Sequence, residues 1–281
     1  MRVLNVPVPP DLLQTWAGWL APARQPFFLT AAEADKLGLK TVPRAEEFFP
    51  PAGRDTDTFT LWFVLPEASQ IAWLTEEDWL ALPPSTRRAL LGAQVRHGRG
   101  AVPRVRDFAD LLPHLTGGRF VWWPSLLSPA VLARAVAQGQ RECRGAEVPE
   151  VVWEAAALLL PRARELAGTF PDASGPNCFG TVMAAAGVGG AEQEWMQREP
   201  FEAFLAGRAQ PGGRDDQPGT LLVWRDEAGA VQHAAVTLGA GWALHKPSQS
   251  WMTPRVVLPT SDLIRYSRTR GWRLHRSRLR V

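Results

Sequence analysis

Apolar residues recur at helical spacing over residues 9–21, where Leu12, Leu13, Trp16, Trp19 and Leu20 follow a pair of prolines and predict a short amphipathic helix. Thr30-Ala31-Ala32-Glu33 has the form of a capping box and opens a second helix. Pro50-Pro51-Ala52-Gly53-Arg54-Asp55 reads as a turn or loop. The run Phe59-Thr60-Leu61-Trp62-Phe63-Val64-Leu65, rich in aromatic and β-branched residues, predicts a buried strand. Thr75-Glu76-Glu77-Asp78 starts another helix, and one more runs from Arg87 to Val95 after Pro83-Pro84. Arg119 to Pro124 predicts a short strand. Ser128-Pro129 supplies an N-cap and a first-turn proline for a helix running toward Cys143. A further helix spans roughly Val148 to Leu166, and Pro161 should kink or divide it.

The second half changes character. Ser174-Gly175-Pro176-Asn177 is turn-forming, and the apolar, alanine-rich run after it predicts a helix from Cys178 to Gly187. Pro218-Gly219 leads into a strand, Thr220 to Trp224. Asp226-Glu227-Ala228-Gly229 turns the chain into His233 to Leu238, and Gly239-Ala240-Gly241 turns it again into Trp242 to Lys246. Side chains alternate faces along a strand, so parity decides which histidine meets which. A turn centred on Gly239 or Ala240 puts His233 and His245 on one face, directly opposite or one diagonal step apart, with Cβ atoms roughly 5–8 Å apart. A two-residue turn would put them on opposite faces.

Composition narrows the classes. In 281 residues, 46% hydrophobic and 21% charged content is that of a folded chain, large enough for one big domain or two modest ones. No apolar run approaches the roughly 18 residues of a membrane span, and the N-terminus has no signal-peptide core. Two cysteines build no disulfide framework. Together these features predict a cytoplasmic protein, although an unconventional export route leaves no such trace. The net charge of +3 is uneven, since Asp262 to Val281 carries seven arginines against one aspartate. That tail is a candidate contact for an anionic partner, set against a plain solvated strand and turn. Arginine outnumbers lysine 28 to 3, which points to a composition bias across the genome. Most of the thirteen tryptophans follow the apolar periodicity and read as core; Trp122-Trp123 is the pair left as a candidate ligand platform.

The chemistry lies between Asn177 and His245. A cysteine in the first turn of a helix meets the positive end of the helix dipole and free backbone N–H groups, which lower a thiol pKa from about 8.5 and can hold an oxyanion. Gly180, two residues on, leaves room for a substrate. One imidazole could activate the thiol while the other orients it. Cys143, between charged residues, is the weaker candidate, and His97, His114 and His275 stand alone as surface or packing residues. No phosphate-binding loop, His-Glu-x-x-His or Cys-x-x-Cys occurs, so no cofactor, nucleotide or zinc is implied.

These residues resemble the NlpC-type cysteine peptidases, papain-like amidohydrolases best known for cutting peptides of the bacterial cell wall. The segments that carry the resemblance are Cys178-Phe179-Gly180-Thr181-Val182, Pro218-Gly219-Thr220-Leu221, His233-Ala234-Ala235-Val236-Thr237-Leu238-Gly239 and Leu244-His245. Leu166-Ala167-Gly168-Thr169-Phe170 is similar to a further segment upstream. The resemblance implies Cys178 as nucleophile, His233 as general base and His245 as its orienting residue. It implies an α+β protein whose papain-like domain, 126–281 with a core of about 150–265, packs a cysteine-bearing helix on an antiparallel sheet. A mixed α/β region of unassigned fold and role, 1–125, precedes it. The chain departs from the family pattern at Phe170, Asn177 and Phe179, where the family has a tyrosine, an acid and a serine. The expected activity is therefore thiol-dependent hydrolysis of a small peptide or γ-glutamyl-type amide rather than of cell-wall peptide specifically. A cysteine acyltransferase, and a non-enzymatic binding module on the same scaffold, are the alternatives.

Overall fold

The computed structural model describes residues 1–47 and 52–280, which form a mixed α+β protein. The chain divides into two compact units, Pro9–Val136 and Met1–Val8 with Ala137–Val281. The division thus falls near residue 136 rather than 125, and the first eight residues belong with the second unit. There β1 (Arg2–Val3) and β2 (Val6–Pro7) form a small ladder, and Leu4 accepts the Cys143 N–H.

In the unit Pro9–Val136, α1 (Pro10–Leu20) buries Trp16 and Leu20, as the spacing predicts. β3 (Arg24–Leu29) leads to α2 (Ala31–Leu37), whose capping box is made: Thr30 accepts the Glu33 N–H and the Glu33 carboxylate accepts the Thr30 N–H. β4 (Val42–Pro43), α3 (Arg44–Glu47), α4 (Gly53–Thr58), β5 (Gln70–Thr75), α5 (Glu76–Ala81), α6 (Pro84–Arg96) and α7 (Pro129–Ala137) follow. Antiparallel pairing in the order β3-β5-β4 makes a three-stranded sheet. Its apolar side packs Phe27, Leu29, Ala72 and Leu74 against Trp79, Leu90 and Trp123.

Three predicted elements differ. Pro50-Pro51 lie outside the described residues, and the remainder of that expected loop, from Gly53, opens α4. The expected strand Phe59–Leu65 is instead a single 3-10 turn, Leu61–Phe63, entered through Thr60 at φ 48°. Aromatic content suggested a buried strand, yet Trp62 is 58% and Phe63 71% exposed. The backbone carbonyls of Leu61, Val64 and Leu65 accept from the Arg44 guanidinium rather than from a neighbouring strand. Arg119–Pro124 makes one isolated bridge, Arg104 to Arg119, and no strand. Free of a pleat, Trp122 and Trp123 both bury, Trp122 edge-on to Phe108 and Trp123 beside Phe27 and Trp79, so the pair is core and not a ligand platform.

In the second unit the chain runs through α8 (Glu150–Ala157) and α9 (Ala163–Leu166), separated at Pro161 as expected. α10 (Cys178–Ala185), α11 (Arg198–Arg208), β6 (Ala209–Pro211), β7 (Pro218–Arg225), β8 (Val231–Gly239), β9 (Trp242–His245), β10 (Val256–Pro259), α12 (Thr260–Tyr266) and β11 (Arg273–Leu279) complete it. The six strands form one antiparallel sheet in the order β10-β9-β8-β7-β11-β6. The arginine-rich tail is thus an interior strand of this sheet, preceded by α12, rather than a free basic segment. Arg276 pairs with Asp215, and Arg265 with Asp262.

Every residue of α10 is buried, in keeping with a helix apolar on all sides, and it packs on β8 and β9. A Cβ on Gly180 would lie 2.2 Å from the Ala191 carbonyl oxygen, so this glycine admits a neighbouring turn of the chain, not a substrate. Gly180→Ala should therefore destabilise the protein by about 1–3 kcal/mol through overpacking against backbone. Urea denaturation of the variant beside the wild-type chain measures the difference.

Candidate active site

The register of the β8–β9 hairpin decides whether the histidines meet. Val236 lies opposite Leu244 and Thr237 opposite Ala243, with a bulge before Gly239 reaches Trp242. The turn is centred on Ala240, and Gly239, Ala240 and Gly241 all have positive φ. His245 then falls opposite Ala235, one diagonal step from His233 on the same face. The two rings meet: His233 Nε2 lies 3.1 Å from His245 Nδ1, with ring planes at 80°. Trp224, directly across β7–β8 from His233, packs its ring 5.2 Å away. Tyr266, the chain's single tyrosine, meets His245 edge-on at 6.1 Å.

Cys178 opens α10 as predicted. Asn177 is the N-cap: its Oδ1 accepts the Gly180 N–H at 3.1 Å and its Nδ2 donates to the Met196 carbonyl at 2.8 Å. An amide serves here where a carboxylate could not, because the second contact needs a donor. Gly180 is thereby satisfied, and the backbone N–H groups of Ala234 (the residue after His233), Phe179 and Cys178 each favour the thiolate form of Cys178. Cys178, His233 and His245 line one cleft of about 450 Å³ with Asn177, Gln232 and Tyr266. Within it no hydrogen bond joins the thiol to either imidazole. Catalytic hydrogen bonds are often long before substrate binds. Cys143 lies apart from this cleft, buried, with its sulfur accepting the Val257 N–H at 3.4 Å. His97 is a packing residue bonded to Glu33 at 2.7 Å.

Burial governs the protonation states. It pushes the Cys178 thiol up to about 11, against the pull of the three backbone N–H groups and the positive charge of Lys246. The helix-start position was expected to lower the thiol; desolvation outweighs it. Burial also holds His233 down to about 4, and holds His245 well below its usual range with help from the neighbouring His233. At neutral pH the resting site is therefore a neutral thiol beside two neutral imidazoles. For Nδ1 of His233 to be basic, its Nε2 must carry the proton and donate it to Nδ1 of His245.

Lys246 is the residue that sequence reasoning passed over. Its side chain is fully buried, and Nζ donates to the carbonyls of Ser248 at 2.6 Å and Ser250 at 2.9 Å and to Thr253 Oγ1 at 3.0 Å. The loop it ties down supplies Pro247, Ser248 and Gln249 to the cleft wall. Gln249 in turn accepts the Gly175 N–H at 2.9 Å from the turn that precedes Cys178.

No group of three or more histidine, cysteine, aspartate or glutamate side chains among the described residues is placed to hold a metal ion. No helix among them is long and apolar enough to cross a membrane. No family model, curated protein or solved structure matches the chain.

Proposed function

We infer that the protein is a thiol-dependent hydrolase or acyltransferase acting on an amide or ester through Cys178, His233 and His245. The observation that carries this reading is the hydrogen-bonded His233–His245 pair in the cleft that Cys178 lines from the start of α10. In the reaction, Cys178 sulfur attacks the carbonyl carbon as its proton passes to Nδ1 of His233. The carbonyl oxygen becomes an oxyanion facing the Cys178 and Phe179 N–H groups, which the helix leaves without intrahelical partners. His233 returns the proton to the departing amine or alcohol, leaving a thioester on Cys178. Water or another acceptor then attacks that thioester, giving its proton to His233, and Cys178 leaves as the thiol once the proton is returned. His245 holds the His233 ring and receives its Nε2–H throughout. The cleft residues Asn177, Gln232, Ser248 and Gln249 are neutral polar groups, suited to an uncharged, amide-rich acyl part such as that of a small peptide.

The elevated thiol and the missing thiol–imidazole hydrogen bond favour a second reading, a scaffold that binds a ligand in the cleft without chemistry. One experiment separates the two. Mixed with 4-nitrophenyl acetate, the wild-type chain should release one equivalent of nitrophenol in a burst and gain the mass of one acetyl group on the peptide that contains Cys178. Cys178→Ala should do neither. An unmodified Cys178 after complete exposure to the ester would leave the binding reading in place.

A further inference from the structure

The unit Pro9–Val136 contains a second cavity, of about 750 Å³, between α5, α6 and the segment from His114 to Phe120. Its apolar lining comes from Trp79, Leu91 and Phe120, and its charged lining from Arg87, Arg88 and Arg119; no aspartate or glutamate lines it. The volume lies within the ~300–1,000 Å³ usual for small-molecule sites.

Two of the three lining arginines, Arg87 and Arg88, are not accounted for by the fold. Arg96, on the same helix, is paired with Glu33, and Arg119 donates to the Val102 carbonyl at 2.7 Å. Arg87 and Arg88 have no ion-pair partner among the described residues. They also sit at the N-terminal end of α6, where the helix dipole opposes cations and the first turn carries no acid, so helix stability does not explain them. Guanidinium groups lining a largely apolar cavity, with no counter-charge of their own, match one kind of occupant. It has an apolar body and an anionic head that can accept two parallel hydrogen bonds.

We propose that this cavity is a binding site for a small amphipathic anion, an aromatic or aliphatic body bearing a carboxylate, sulfonate or phosphate, with Arg87 and Arg88 taking the head group. The apolar body lies on Trp79, Leu91 and Phe120. Its lining shares no residue with that of the Cys178 cleft.

The test uses the full chain and two fluorescent probes of similar shape, the anionic 8-anilinonaphthalene-1-sulfonate and the uncharged N-phenyl-1-naphthylamine. One molecule of the anionic probe should bind per chain. Arg87→Gln with Arg88→Gln should weaken it at least tenfold while leaving the uncharged probe unchanged. Leu91→Trp, which fills the apolar side, should remove both, with an unaltered circular dichroism spectrum showing that the fold persists. Octanoate should displace the anionic probe and octanamide should not. The proposal is overturned by the absence of saturable binding, by equal binding of the anionic probe to the double variant, or by binding indifferent to Leu91→Trp. A glutamate-rich peptide that displaces the probe better than octanoate does would overturn the small-ligand assignment and make the cavity a protein-docking groove.

Discussion

Replacing His233 with alanine should lower acyl transfer from 4-nitrophenyl acetate at neutral pH by about 10²–10⁴-fold. The size follows from the resting charges. With its thiol pushed up to about 11 by burial, Cys178 holds almost no thiolate of its own at pH 7. In the proposed mechanism the proton passes to a neighbouring base during attack, and that base is His233, hydrogen-bonded to His245 in the cleft that both share with Cys178. The pH profile should carry the same signature. If His233 takes the thiol proton during attack, as proposed, the wild-type acyl-transfer rate should stay level between the imidazole, near 4, and the thiol, near 11. It should fall below pH 4, where His233 is already protonated and cannot act as base. In His233→Ala the rate should instead climb about tenfold per pH unit toward 11, because only spontaneously ionised thiolate remains. Superimposable profiles for the two proteins would show that the imidazole takes no part.

Much of this site could be read from residues alone, because its parts lie on regular elements with strong local signals. Cys178 in the first turn and the parity of His233 and His245 follow from helix and strand periodicity, with one undetermined quantity, the centre of the turn, whereas the capping role of Asn177 came only with the structure. The structure sets that centre at Ala240. Trp224 beside His233 was reachable by the same parity across the Asp226–Gly229 turn. What could not be read depends on desolvation and on contacts distant in sequence. The sign of the Cys178 shift is decided by how much chain covers α10, which no local pattern encodes. Gly180 faces Ala191 because of a tertiary approach, and Tyr266 reaches His245 from a helix beyond β10. In the first unit, the aromatic run at Phe59 misled for a related reason. Hydrophobic composition measures what burial would gain, and Phe59, Leu61 and Val64 do bury, but the Arg44 guanidinium holds the backbone as a turn that leaves Trp62 and Phe63 exposed.

Lys246→Met should destabilise the protein by about 3 kcal/mol and, in the same variant, raise KM for the ester more than it lowers kcat. A lysine one residue after a strand histidine reads as a solvated charge, yet this one is fully buried. Removing an ammonium from water is costly unless oxygens replace the lost hydration. Three do so here, the carbonyls of Ser248 and Ser250 and the hydroxyl of Thr253. Methionine fills a similar volume but leaves those two carbonyls without this donor, and each charged hydrogen bond is worth about 1.5–3 kcal/mol. The same loop is a wall of the cleft, and Gln249 fastens it to Gly175 ahead of Cys178. Loosening it should disturb the surface against which substrate is held while leaving the His233–His245 contact in place. A KM effect larger than the kcat effect distinguishes this positioning role from general instability, which would lower the amount of active protein and leave KM alone. Lys246→Arg keeps the charge but cannot reproduce a compact three-donor head in a closed site, so it should rescue little. Urea unfolding within about 1 kcal/mol of wild type for Lys246→Met, with an unchanged KM, would show that the buried ammonium neither holds the loop nor shapes the site.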